Sequence, residues 1–338
     1  PIYWKIDGLF GEISSFLERN KSPKYSFVYD QIVSFGELIS TQIISHYLND
    51  KSIRNTWLDA RNLVKTNSNY QEGEVDWQET ERSIRESINP SLMYVTQGFI
   101  GSDPNYFTTT LGREGSDYSA AIFAYCLKGE NVTIWKDVAG VLNADPRYFS
   151  QTQLLERIPY QEAIELAFYG ASVIHPKTLQ PLQRLDIPLN VRSFLHPEQT
   201  GSSVCNVKEL SPKIPCYIRK QHQHLLSLSS LDFSFIAEEN ISFIFNLLAT
   251  YQIKVSLLQN SAISFNLCIE DKYKNLSFLL EDLSKRFKVS CTENVVLYTV
   301  RHAQQDSFDF LGQDKEILLE QFAQNTQQKI VRDETLIL

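Results

Sequence analysis

With 338 residues the chain is long enough for two or three domains with sizeable cores, and its 43% hydrophobic and 21% charged content is that of a globular protein. The net charge of −8, without any cluster of Lys and Arg among aromatics, argues against nucleic acid as a partner. No apolar run approaches the roughly eighteen residues of a spanning helix and the start does not read as a signal peptide, so no membrane partner is expected.

The opening Pro1-Ile2-Tyr3-Trp4 reads as the middle of a longer element. From Tyr29 to Leu48, apolar residues at Ile32, Phe35, Leu38, Ile39 and Ile43 keep close to helical spacing. Asn55 to Leu63 reads as a strand and turn. Leu92 to Thr96 reads as a short buried strand, closed by the loop signal Gly101-Ser102-Asp103-Pro104. A threonine strand, a helix over Asp117–Leu127, a β-branched strand Val132–Trp135 and a helix from Tyr160 to Tyr169 follow. Strands alternating with helices predict an α/β domain with a mostly parallel sheet.

Ser, Pro and polar residues near Ser202 to Pro215 mark a linker. Beyond it the order is strand His224–Ser230, helix Glu239–Tyr251, strands Lys254–Leu258 and Ala262–Glu270, helix Tyr273–Phe287 and a strand from Val289. Along Ala262–Glu270, Ile263, Phe265, Leu267 and Ile269 alternate with Ser264, Asn266 and Cys268. That order is βαββαβ, the ferredoxin-like plait. A shorter second unit has strand Val295–Val300, a helical piece at Phe308–Leu311, and strands Glu316–Phe322 and Gln328–Arg332. Five scattered cysteines without Cys-x-x-Cys spacing suggest a reducing, cytoplasmic setting, and six histidines without metal spacing suggest no metal site.

The richest segment is Thr108-Thr109-Thr110-Leu111-Gly112-Arg113-Glu114-Gly115-Ser116-Asp117. Glycines admit a ligand close to the backbone, the first N–H groups of the following helix have no internal partner, and Arg113 adds a fork for carboxylate or phosphate. Alone, this is equally compatible with a plain strand-to-helix turn. The wording Thr-Leu-Gly-Arg-x-Gly-Ser-Asp, however, resembles the signature of aspartate kinases, amino-acid kinases with C-terminal ACT domains. Three further blocks resemble the same family, in order. They are Val33-Ser34-Phe35-Gly36-Glu37-Leu38; Thr133-Ile134-Trp135-Lys136-Asp137-Val138-Ala139-Gly140-Val141-Leu142-Asn143-Ala144-Asp145-Pro146-Arg147; and Gly170-Ala171-Ser172-Val173-Ile174-His175-Pro176.

The resemblance implies roles. Glu37 receives the α-ammonium of the substrate L-aspartate, while Arg113 and Gly115 face its carboxylate. Asp117 organises the phosphate-binding charges and Ser116 caps the helix beneath the transferring phosphoryl group; by itself Asp117 is also compatible with a structural acid at a helix start. Lys136, Asp137, Leu142, Arg147, Ser172 and Val173 line ATP, with Mg²⁺ carried on its phosphates. Three departures stand out: Lys136 where Thr is usual, Leu142 where an adenine-side Tyr is usual, and Ser172 where a nucleotide lysine is usual. The family's first strand and its Lys-Phe-Gly-Gly-Thr-Ser loop have no counterpart before Glu37, so the kinase domain is expected to be N-terminally incomplete. His175 reads as a hydrogen-bonded strut.

The expected organisation is a partial amino-acid-kinase domain over 1–203, a linker over 204–217, and ACT domains over 218–291 and 292–338, the second short and interleaved with the first. Ser256, Asn260, Ser261 and Ala262 match the ACT effector loop, whose backbone groups are expected to be open for an amino-acid effector, lysine or threonine. Two usual acids are replaced there. The same plait is also compatible with a dimerising module that binds no ligand. The implied function is aspartate kinase activity with ACT-based regulation, in a homodimer joined through the ACT domains. The alternatives are an inactive regulatory binder and another amino-acid kinase.

Overall fold

Two helices, α1 (Ile2–Arg19) and α2 (Tyr25–Asp50), open this computed structural model, which describes residues 2–171, 174–232, 235–312 and 315–332. Helix α1 buries no residue fully. Helix α2 extends beyond the predicted segment at both ends, and its Phe35 and Leu38 pack in a cluster with Ala60 and Ile100. Next come β1 (Thr56–Trp57), α3 (Ala60–Leu63), α4 (Trp77–Ser87), β2 (Tyr94–Val95), β3 (Ile100–Ser102), β4 (Thr108–Thr110), α5 (Gly115–Leu127) and β5 (Val132–Lys136). After them are β6 (Arg157–Pro159), α6 (Tyr160–Tyr169), α7 (Pro176–Arg184), β7 (Leu189–Ser193) and β8 (Ser202–Cys205). None of the described helices is long and apolar enough to cross a membrane.

The mostly parallel sheet is present in pieces. Strands β5, β7, β8 and β6 form one sheet in that order, with β5/β7 and β6/β8 parallel and β7/β8 antiparallel. Strands β1 and β2 form a parallel pair, and β3 and β4 an antiparallel one. Gly101, expected in a loop, instead lies within β3. A Cβ there would come within 2.8 Å of the Val64 carbonyl oxygen, so the glycine permits close backbone approach rather than a turn. Helix α4 has no counterpart among the predicted elements. Its signal was capping: Asp76 accepts from the Glu79 N–H at 3.1 Å.

The ribbon β3/β4 is too small to stand alone. Helix α2 completes it with two successive side chains. The Gln31 amide pairs with Thr108 as a strand would, donating to its carbonyl at 2.7 Å and accepting from its N–H at 3.1 Å. Fully buried Asp30 accepts from the N–H groups of Gln71 and Thr110 and from the Thr110 hydroxyl, each at 2.9 Å. Burial pushes the Asp30 carboxyl above the ordinary carboxylate value, while those hydrogen bonds pull it down.

The chain falls into two compact units, the second made of Leu142–Gln153, Phe168–Ala171 and the residues from Lys213 onward. In that second unit, β9 (Cys216–Ser230), α8 (Glu238–Thr250), β10 (Lys254–Asn260), β11 (Ser264–Glu270), α9 (Leu276–Ser284) and β12 (Phe287–Arg301) form the βαββαβ plait. A 3₁₀ turn, Asp309–Leu311, precedes β13 (Ile317–Ala323) and β14 (Thr326–Arg332). All six strands make one antiparallel sheet, ordered β10-β11-β9-β12-β14-β13. The segments from Val289 and over Val295–Val300, read as separate strands, are one continuous β12, and β9 begins well before His224. The 15-residue β9 and β12 thus serve both halves, and register shifts in β12 at Thr292/Val295 and Val295/Leu297 mark the seam.

Leu226, Leu228, Phe265, Leu267 and Ile269 pack on one face of the sheet against Ile244 and Leu248 of α8 and Leu279 and Leu283 of α9. Cys268, on the opposite side of the alternation, is also buried, with Leu257, Val295, Leu297, Leu319 and Ile330. Both faces are therefore covered. Ile263 falls outside β11 and is exposed. The Leu142–Gln153 segment joins this unit through the Asn143 carbonyl, which accepts from Tyr217 N–H at 2.7 Å.

Asp30→Ala removes the acceptor that the half-buried Gln71 N–H and the buried Thr110 N–H use. It is expected to lower unfolding free energy by on the order of 3 kcal/mol in urea titration. An unchanged midpoint would show that α2 does not hold the ribbon.

Candidate active site

Strand β4 leads through Leu111 into the glycine turn. Gly112 has φ +80°, a region open to glycine. Glu114 is left-handed as well, at φ 54° and ψ 32°, where a side chain is a burden. Helix α5 starts at Gly115, two residues earlier than predicted, with Glu114 in the N-cap position and no side-chain cap. Ser116 therefore lies inside the first turn and does not cap it, which corrects that expectation. The Gly115 N–H donates to the Gly112 carbonyl at 3.1 Å.

The turn is held by close packing. A Cβ on Gly98 would come within 2.8 Å of Ser116 Cα, and one on Gly115 within 2.6 Å of the Phe99 ring. The Ser119 hydroxyl accepts from Phe99 N–H and donates to the Gly115 carbonyl, both at 2.9 Å. Through Gln97, the same segment reaches the face of α2 that carries Glu37. The Thr41 hydroxyl donates to the Glu37 carbonyl at 2.8 Å and accepts from the Gln97 amide at 2.7 Å and the Trp57 ring N–H at 3.1 Å. Buried Gln97 in turn accepts from Ala60 N–H at 2.8 Å. The Glu37 side chain is half-buried, and burial pushes its carboxyl above the ordinary value. An ammonium ligand would restore the solvation this carboxylate has lost.

Arg113 is exposed and pairs with no carboxylate among the described residues. It is a free fork at the rim of the turn, not a buried one. Asp117, in the first turn of α5, is paired: its Oδ2 lies 3.0 Å from Lys136 Nζ. Strand β5 follows α5 after a short turn and runs back beside it, so its last residue, Lys136, returns to the helix start. Asp137 follows at an exposed bend.

Leu142 and Arg147 fall in the second unit. Leu142 is half-buried; Arg147 is exposed and pairs with Asp145, Nη2 to Oδ2 at 2.6 Å. Ser172 and Val173 lie outside the described residues. His175 is the expected strut: its Nδ1 accepts from Lys177 N–H at 3.2 Å, capping α7.

The effector loop differs from its expectation. Asn260 ends β10 and pairs with Phe265. The Ser261 N–H donates to the Ser264 carbonyl at 2.8 Å, its hydroxyl lies 2.7 Å from that of Ser264, and the Ala262 carbonyl accepts from Ile236 N–H at 3.0 Å. The Ser261 N–H and the Ala262 carbonyl, expected to be open, are thus already paired. Ser256 is buried and donates to Gln223 Oε1 at 2.8 Å.

Reasoning from sequence missed Asp30 and Gln31, which set the Thr strand, and the Gln97–Thr41 link. Their one sequence signal is a pair of polar residues within an otherwise helical apolar pattern. It also missed Glu114, whose Oε2 is buried without a hydrogen-bond partner.

Three layers of similarity converge on this architecture. The chain belongs to the amino acid kinase family, whose model matches residues 9–193. Within the family its relatives are aspartokinases. Over 308 residues it is 36% identical to lysine-sensitive aspartokinase 3 of Escherichia coli (strain K12), covering 87% of this chain and 67% of that enzyme. It is 37% identical over 183 residues to the chloroplastic bifunctional aspartokinase/homoserine dehydrogenase 2 of Arabidopsis thaliana, covering 53% of this chain and 20% of that protein. The chain thus spans about two thirds of the first relative and a fifth of the second. Its structure resembles E. coli aspartokinase III in complex with aspartate and ADP (R-state), with a TM-score of 0.81 and 29% identity over 98% of this chain and 78% of that one. For the same enzyme in complex with lysine and aspartate (T-state), the TM-score is 0.79 at 30% identity, with the same coverage.

Glu114→Gly relieves both a left-handed side chain and an orphaned carboxylate oxygen. It is expected to stabilise the protein by about 1 kcal/mol, the left-handed cost less the entropy of a new glycine. Differential scanning calorimetry checks this, and a lowered melting temperature would mean that Glu114 has a partner in solution.

Proposed function

We propose that this chain is an aspartate kinase, transferring the γ-phosphoryl group of ATP to the β-carboxylate of L-aspartate to give 4-phospho-L-aspartate and ADP, the entry to lysine, threonine and methionine synthesis. The observation that carries the reading is the glycine turn and start of α5, with Arg113 at its rim and the Asp117–Lys136 pair beside it. The close relatives bear aspartokinase names, and one solved relative holds aspartate and ADP.

The residues divide the work by charge. Glu37 takes the α-ammonium of aspartate and Arg113 a carboxylate, so the two ends of a small zwitterion meet opposite charges. The β-carboxylate oxygen attacks the γ-phosphorus as the bond to the β–γ bridging oxygen breaks, and ADP leaves with the electron pair. The attacking carboxylate has no proton to lose, so no general base is required. Catalysis is positioning and charge stabilisation. The N–H groups of the first turn of α5 and Lys136 suit a polyphosphate, with Asp137 as a further proposed nucleotide contact. Mg²⁺ would neutralise phosphate charge.

The second unit is read as regulatory, an ACT pair through which the protein forms a homodimer. In support, β10 is an edge strand, pairing only with β11 among the described residues. Five free cysteines suit a reducing, cytoplasmic setting. The solved relative with lysine bound makes an amino acid the natural effector class. Because Ser256 and Ala262 supply no carboxylate and the hairpin spends its backbone groups, lysine is expected to bind weakly and threonine at least as well. Calorimetry of the whole protein with each amino acid checks this; tight, saturable lysine binding would place an acidic partner elsewhere.

Arg113→Ala is expected to raise the KM for aspartate by the loss of a charged hydrogen bond, on the order of 1.5–3 kcal/mol, with the KM for ATP little changed. Steady-state kinetics in both substrates provides the check. Unaltered aspartate kinetics would remove Arg113 from the substrate site.

A further inference from the structure

The nucleotide lysine that the family resemblance places at Ser172 is absent from that position, and a lysine absent from the usual pattern stands at Lys136. We propose that Lys136 takes over this function: its Nζ, positioned by Asp117, contacts the terminal phosphates of ATP and stabilises the charge on the transferring phosphoryl group. The inference rests on the ATP-dependent reading above.

Geometry supports it in four ways. First, Lys136 is the last residue of β5, a strand parallel to β7 with Lys136 opposite Ser193, and ligands of parallel α/β sheets gather beyond the carboxyl ends of the strands. Second, the helix that follows the glycine turn starts beside that strand end, since Asp117 in its first turn lies 3.0 Å from Nζ. Third, the pair is largely enclosed, with side-chain exposures of 24% for Lys136 and 17% for Asp117. A lysine on the open surface would spend its charge on water; this one is held in a defined place, where charge stabilisation needs no reorganisation. Fourth, a carboxylate in the first turn of a helix also meets the positive end of the dipole, so Asp117 is stabilised by more than the lysine alone. An ammonium group has three donors, so a bond to Asp117 is compatible with contact to a phosphate oxygen. Asp117 is then a positioning residue, and Lys136 the group that meets the nucleotide.

The test uses the whole chain with ADP, ATP, Mg²⁺ and aspartate. Lys136→Thr, the residue usual in the family and well suited to a strand, and Lys136→Met are each compared with Lys136→Arg, Asp117→Asn and the double variant Asp117→Asn/Lys136→Thr. The inference expects Lys136→Thr to keep the wild-type melting temperature, lose about 100-fold in kcat and bind ADP about tenfold more weakly, with the KM for aspartate within about twofold. Lys136→Arg recovers part of the loss, and the double variant is no worse than Lys136→Thr, since Asp117 acts through the lysine. If Lys136→Thr keeps wild-type kcat and ADP affinity, or if the double variant restores them, the lysine merely neutralises Asp117 and the proposal is overturned. A wild-type protein that binds ADP but shows no aspartate-dependent turnover would overturn the kinase reading alone. The lysine assignment would then be decided by ADP affinity in Lys136→Thr, loss supporting it and no change removing it. A wild-type protein that binds no ADP would overturn both.

Discussion

A carboxylate and an amide on adjacent residues of one helix hold the first unit of this protein in register. Asp30 and Gln31 occupy the hydrogen-bonding positions that a third strand would fill beside β4. Without them the two-stranded ribbon would have an unpaired edge in the protein interior, where each orphaned backbone group is costly. Because β4 runs directly into Leu111, Gly112 and Arg113, its position sets that of the turn, and the turn sets the start of α5. Burying Asp30 raises its carboxyl pKa, and three donors offset that cost. The arrangement is local in space yet spans the sequence from residue 30 to residue 110.

The charged groups of this half differ in their surroundings. Arg113 stands exposed at the rim. Asp117 and Lys136 form an enclosed pair. Glu37 is half-buried on α2, with its carboxyl pushed up by lost solvation. Glu114 holds a left-handed backbone and buries an unpartnered oxygen at the turn. The strain lies in the segment that would meet ligands, in keeping with the tendency of strained residues to gather at functional sites.

The second unit solves a different problem with the same economy of strands. Two half-plaits are built on two long strands, β9 and β12, so the six-stranded sheet is continuous and the seam appears only as shifts in register. Among the described residues, only the first half has two α-helices on its face. On the opposite face Leu257, Cys268, Val295 and Leu297 are shared between the halves. The turn from Ser261 to Ser264 closes on itself through the Ser261 N–H and the paired hydroxyls of Ser261 and Ser264.

Much of this was legible in the residues themselves. Helix α6 matches Tyr160–Tyr169, α5 ends at Leu127 as predicted, and the plait follows from alternation along Phe265, Leu267 and Ile269. Local patterns suffice there because periodicity and turn residues act over a few positions. The blocks around Glu37, Arg113 and Asp137 pointed to the family for the same reason, since motif chemistry is local. What the tertiary structure alone decided is which distant groups meet. Asp30 reads as one more polar residue on a helix until Thr110 is brought to it, and Cys268 reads as a solvent-side residue until the second half of the sheet covers that face. Lys136 reads as a departure from a motif until β5 runs back along α5 and places its ammonium 3.0 Å from Asp117. Those pairings depend on strand direction and helix packing across tens of residues, and no short-range pattern encodes them.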